Sequence, residues 1–157
     1  FSDNVVYNSW ARDQGLPPGT AQSLSEDFNG DGTLNFEHFV FASNPKSTSF
    51  SKPLIHSELT HVVQQGGGGT NSYYNVTFPI RGAIPLLDGR ISGNGINYRF
   101  HAARKPAQPD NLTVREISLA LTGELPPLPP GYLYRTFQIE EAIETTDSGF
   151  LWLEASP

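Results

Sequence analysis

Ile96-Asn97-Tyr98-Arg99-Phe100-His101-Ala102-Ala103 alternates apolar and polar residues almost one by one, the period of two imposed on a strand with one buried face. The same texture recurs at Leu54–Val63, Tyr73–Ile80, Val114–Leu121, Tyr132–Ile139 and Phe150–Ala155. Turn residues separate these runs: Gly66–Gly69, Asp88-Gly89, Gly93-Asn94-Gly95, Pro106–Asp110, Leu125–Gly131 and Asp147-Ser148-Gly149. Such residues supply the positive or fixed φ that reversals need. The pattern predicts six or seven strands, and their close spacing predicts a β-sandwich-like domain over residues 53–157.

Upstream of residue 53 the periodicity changes. Val5, Val6, Trp10 and Leu16 recur at near-helical spacing, with Ser2 or Asp3 as cap and Gly15 before Pro17-Pro18 as stop. After a linker at Thr20–Glu26, Phe36, Phe39, Val40 and Phe41 predict a second short helix running to Asn44-Pro45. The whole therefore reads as mainly β with a small α part: a helix–loop–helix element at 1–45, a Ser/Thr-rich linker at 46–52, and the β-domain at 53–157. No repeat of solenoid length is visible.

The chain of 157 residues carries a net charge of −6 with only 10 Lys and Arg, so it lacks the concentrated basic face that nucleic acid requires. No run reaches the roughly 18 apolar residues of a membrane-spanning helix. With no cysteine, disulfides, thiolate metal sites and a cysteine nucleophile are excluded. A chain that starts Phe1-Ser2-Asp3 and holds no methionine reads as the product of a cleaved precursor, so a secreted or cell-surface location is expected. Asn75-Val76-Thr77 and Asn111-Leu112-Thr113 match the glycan acceptor pattern, marking Asn75 and Asn111 as candidate glycosylation positions.

The chemistry-bearing stretch is Asp27-Phe28-Asn29-Gly30-Asp31-Gly32-Thr33-Leu34-Asn35. A hard cation such as Ca²⁺ takes six to eight oxygens, and a twelve-residue loop supplies them from positions 1, 3, 5, 7, 9 and 12, with glycine at 6. Here these are Asp27, Asn29, Asp31, the Thr33 carbonyl, Asn35 and His38, with Gly32 at the turn. His38 stands where a bidentate carboxylate is usual, and Glu37, one residue early, is the carboxylate nearest to that position. A tight turn alone would also favour Asn, Asp and Gly, but ligand spacing, turn glycine and the following Leu34 and Phe36 coincide here.

Together with Trp10, Gly15-Leu16 and the closing Asn44-Pro45, the loop resembles the calcium-loop element of secreted bacterial proteins, the thrombospondin type 3 and dockerin-like group of single EF-hand-type loops. The resemblance covers residues 10 to 45. It implies an extracellular Ca²⁺ held by Asp27, Asn29, Asp31, Thr33 and Asn35. Such an ion would be structural, docking a helix pair through Trp10, Phe39 and Phe41 onto the β-domain.

No catalytic constellation emerges. His56 and His61 lie five apart on an expected strand and so face opposite ways. No Gly-x-Ser-x-Gly elbow occurs. Glu140, Glu141 and Glu144 form an acidic cluster that reads as a solvated face, and Gly66–Gly69 lacks the Lys-[Ser/Thr] of a phosphate cradle. Tyr132/Tyr134 and Phe150/Trp152 alternate as residues lining the core face of a sheet do, rather than as a sugar-stacking platform. The expected function is that of a non-catalytic structural protein, a self-assembling surface fibre or filament subunit that donates strands from 1–8 and 46–64 to copies of itself. The alternative is a carbohydrate- or protein-binding accessory or anchoring module of a larger secreted protein.

Overall fold

The structure, a computed structural model, describes residues 4–48, 55–105, 109–119, 125–146 and 148–157. Helix α1 (Val5–Asp13) leads through a 3-10 turn (Thr20–Gln22) to α2 (Asn35–Val40). Seven strands follow: β1 (His56–Val63), β2 (Thr70–Arg81), β3 (Arg90–Gly93), β4 (Ile96–Ala103), β5 (Val114–Ile117), β6 (Tyr132–Ile139) and β7 (Phe150–Ser156), with a short helix α3 (Ile143–Thr146) before the last. They form two antiparallel sheets, ordered β1-β2-β6-β5 and β3-β4-β7. The fold is mainly β with a small helical part, as the alternation predicts.

The sheets meet face to face through their inward aromatics. Phe100 of β4 stacks on Phe137 of β6 at 3.9 Å between centroids, and Phe78 of β2 meets Phe100 edge-on at 5.9 Å. In β4 the polar members of the alternation, Asn97, Arg99 and His101, turn outward while Ile96, Tyr98, Phe100 and Ala102 are buried. β3 was not foreseen: Asn94 (φ 54°) and Gly95 (φ 80°) form a two-residue turn that pairs Arg90–Gly93 back onto β4. Two successive positive φ values match the twist of a tight hairpin.

The helical element is not a separate body. One hydrophobic cluster runs from Tyr7, Trp10 and Phe39 to Val76, Phe78, Phe100 and Phe137. Tyr7 and Trp10 flank the Phe39 ring at 5.4 and 5.2 Å. The Arg81 guanidinium lies over Phe39 at 4.9 Å and over Tyr132 at 5.1 Å. The hydroxyls of Tyr98 and Tyr132 donate to the carbonyls of Val40 and Phe39 at the end of α2. Burial pushes the Tyr132 hydroxyl up to about 12, against the lowering pull of Arg81, so it remains a donor. Trp10 and Phe39 therefore dock as expected, whereas Phe41 is only half-buried.

Asn4 caps α1, its side chain accepting from the Tyr7 amide, while the expected caps Ser2 and Asp3 lie outside the described residues. Gly15 ends the helix at φ 70°, with the amides of Gly15 and Leu16 returning to Arg12 and Ala11. Helix α2 stops at Val40 rather than running to Asn44-Pro45, because Ala42 turns left-handed (φ 58°) and the Ser43 amide returns to the His38 carbonyl. Most of the expected 46–52 linker lies outside the described residues.

Candidate functional site: the Asp27–His38 loop

The loop folds on its two aspartates. Asp27 Oδ1 accepts from the amides of Gly30 (2.8 Å) and Asp31 (3.2 Å), and Oδ2 accepts from Gly32 (2.8 Å). Gly32 takes φ 88°, the conformation that glycine makes cheap. Asn29 Oδ1 accepts from the Asp31 amide, and its Nδ2 donates to Asp31 Oδ2 at 2.9 Å and to the Ser47 carbonyl. Asp31 Oδ1 accepts from the Thr33 amide at 2.8 Å.

The Asp31 side chain is only 4% exposed. Burial raises its carboxyl, but the Thr33 amide, the Asn29 side chain, the Thr33 hydroxyl and nearby His38 together outweigh burial and hold it below the usual carboxylate range. The folded state therefore binds this proton less tightly than the unfolded chain. Its stabilisation is complete above the unfolded value of about 4 and is lost as pH falls through the folded value. In metal-free protein, melts recorded from about pH 6 down to about pH 2 should fall in temperature, and Asp31→Asn should flatten that fall.

The loop ends on a histidine that closes it from within. His38 is 1% exposed, its Nδ1 is 2.7 Å from Ser43 Oγ, and its Nε2 lies 3.7 Å from Asp31 Oδ1. That nitrogen is buried with no hydrogen-bond partner among the described residues. By residue type, His38 departs from the bidentate carboxylate usual at the twelfth position of the loop. In the structure it is the residue that points into it.

Two expected ligands make contacts outside the loop, although Asn35 Oδ1 is buried without a partner among the described residues. Asn35, fully buried, donates from Nδ2 to the carbonyls of Ala21 (3.0 Å) and Ser23 (2.9 Å), tying α2 to the preceding 3-10 turn. Glu37 is exposed and accepts from the Leu34 amide at 2.7 Å, one half of a capping box. An orphan amide at a helix start captures a carboxylate three residues on, which is why Glu37 turns back rather than into the loop. The structure thus links Asp27, Asn29 and Asp31 through loop hydrogen bonds and sets His38 beside Asp31.

Among the described residues no group of three or more His, Cys, Asp or Glu side chains forms a metal cluster. A cation in this loop must therefore complete its shell with amide and backbone oxygens. The donors a cation would draw on are the Asp31 carboxylate with His38 Nε2 beside it, the Asn29 amide oxygen and the Asp27 carboxylate, all on a loop of the expected spacing.

The other candidates resolve into structural roles. Asn75 is 1% exposed, with Nδ2 donating to Thr60 Oγ1 and Oδ1 accepting from Gln138, so the folded chain has no room for a glycan there. Asn111 is exposed and its Oδ1 accepts from the Arg104 amide. Glu141 and Glu144 are not a free acidic face: they accept from the amides of Thr113 and Ser72, and the Ser72 hydrogen bonds lower Glu144. Phe150 and Trp152 lie on the outer face of the second sheet, 42% and 36% exposed, because β7 turns Leu151, Leu153 and Ala155 inward. Trp152 stacks flat on His101 at 5.1 Å, and His101 bridges Asp110 (2.9 Å) and Glu154 (3.2 Å).

Comparison with family models, curated proteins and solved structures gave no match. What the fold and the loop define is a class: a mainly β, two-sheet protein with a helix–loop–helix element built into its core. No described helix is long and apolar enough to cross a membrane.

Proposed function

We propose that the chain is a non-catalytic, extracellular structural module that associates head to tail with copies of itself, and that a divalent cation in the Asp27–His38 loop stiffens its helical element. The observation that carries this reading is the pair of long edges that no other described strand pairs. β1, with eight residues, ends the first sheet, and β7, with seven, ends the second. Natural edge strands are blunted by shortness, Lys or Pro. β3 and β5 are short, at four residues each. β1 and β7 contain no Lys, Arg or Pro, and they expose Leu59 (49%), Val62 (48%), Val63 (75%) and Phe150 (42%).

The segment His56–Val63 is paired in its own sheet rather than offered to a neighbour. What it presents is its outer edge, to which the β7 edge of another copy can add. Two different edges in one contact make a heterologous interface, which propagates unless the rotation closes. Wild-type protein should grow in mass with concentration by light scattering and form filaments by negative-stain microscopy. Val63→Lys and Phe150→Lys should each return it to monomer. A monomer at every concentration overturns the reading.

A second reading rests on Trp152. An exposed indole beside Arg99, Asn97 and Glu154 on the outer face is also what a sugar-binding module presents. Saturable quenching of tryptophan fluorescence by soluble oligosaccharides, abolished in Trp152→Ala, would favour it over self-assembly.

A further inference from the structure

We infer that the Asp27–His38 loop is built for a first-row divalent cation that accepts one imidazole nitrogen among oxygens, His38 Nε2 being the ligand that sets this preference over calcium. The inference rests on the reading that the loop holds a cation.

Three observations lead there. First, His38 Nε2 is buried and has no hydrogen-bond partner among the described residues. A buried polar atom without a partner costs free energy, and a bound ion is one way to offset that cost. Second, it faces Asp31 Oδ1 at 3.7 Å, too far for a hydrogen bond but a gap that one ion bound to both atoms spans. Third, Ser43 Oγ engages the other ring nitrogen at 2.7 Å and fixes the ring, the outer-shell contact that orients a metal-binding histidine.

The chemistry of the donors then selects the ion. Calcium takes oxygen, ideally from a bidentate carboxylate at this position, and gains little from nitrogen. First-row divalent cations accept imidazole together with carboxylate and carbonyl oxygen. Glu37, the carboxylate that would restore calcium character, is spent on the Leu34 amide. Asn35 holds its Nδ2 on Ala21 and Ser23, its Oδ1 being buried without a partner among the described residues, and the set carries an imidazole nitrogen where a calcium loop has a bidentate carboxylate.

The test uses Mn²⁺ as probe, on tag-free protein stripped of metal. Titration calorimetry should show Mn²⁺ binding at least roughly tenfold tighter than Ca²⁺. His38→Glu should reverse that order. Electron spin echo spectra of one bound equivalent should carry nitrogen modulation in the wild type. His38→Gln, which keeps a polar side chain of similar reach, should lose it. If Ca²⁺ binds as tightly as Mn²⁺ and bound Mn²⁺ shows no nitrogen modulation, the inference fails while the cation loop stands. If neither ion binds, the cation reading fails and takes the inference with it. The wild-type spectrum decides the matter even if the variants do not fold.

Discussion

Phe39→Ala should cost about 3–5 kcal/mol, the range for truncating a buried aromatic ring, and lower the melting temperature by roughly 10 °C. Phe39 is fully buried and is the one side chain that Tyr7, Trp10, Phe36 and the Arg81 guanidinium all touch. Its removal takes the keystone from the contact between helices and sheets. The loss should be uneven: limited proteolysis should attack residues 4–48 first, while the two sheets persist. Phe39→Leu, which keeps most of the volume, should cost much less. A loss below about 1 kcal/mol would mean that the ring is not the anchor that its contacts make it.

Glu116→Ala should destabilise the protein by about 2–3 kcal/mol, less than a fully enclosed ion pair because Glu116 remains a third exposed. Arg135 is 8% exposed on the core face of β6, near the Phe137 ring, and its Nε and Nη2 donate to the two oxygens of Glu116 at 2.6 and 2.5 Å. Its Nη1 is already buried without a partner among the described residues. Stripping the carboxylate leaves a guanidinium in the core with no counter-charge. Most of the cost is the stranded charge, so Glu116→Ala with Arg135→Met should recover much of it in chemical denaturation. A double variant no better than the single one would show that the fork itself supplies the stability.

The sheets were legible where one face is buried and the other is wet. β4 shows this best, since each of its polar residues points outward. β2 and β6 show the same alternation in sequence, yet over much of their length both of their faces are buried. Thr77, Asn75, Thr136 and Gln138 are all below 6% exposed and bond to one another across the strands. Alternation alone assigns such residues to solvent, so that polar row was invisible in the sequence. The signal for β3 was present in Asn94-Gly95, a dipeptide suited to a two-residue hairpin, but four flanking residues carry too little periodicity to announce a strand. Phe150 and Trp152 were misplaced because strand period says which residues share a face, not which face is buried.

At the candidate site, the Asn, Asp and Gly of residues 27–32 mark a turn, and the chain does turn there on the Asp27 and Asp31 carboxylates. Side-chain destinations did not follow from spacing. Glu37 is drawn off by an orphan amide and Asn35 by two carbonyls, both local competitors that a ligand count does not include. His38, treated in the sequence as a departure, is the side chain that the fold buries beside Asp31.

On the proposed reading a cation in this loop clamps the helical element onto the sheets. Thermal unfolding of metal-stripped protein in chelator, against the same protein with about 10 mM divalent cation, tests it most directly, since extracellular loops bind at about 10⁻⁴–10⁻³ M or tighter. Saturation to about a hundred times the dissociation constant adds about 2.7 kcal/mol. The melt should rise by roughly 5 °C or more with cation, with no such rise in Asp31→Asn. Superimposable melts with chelator and with cation would contradict it.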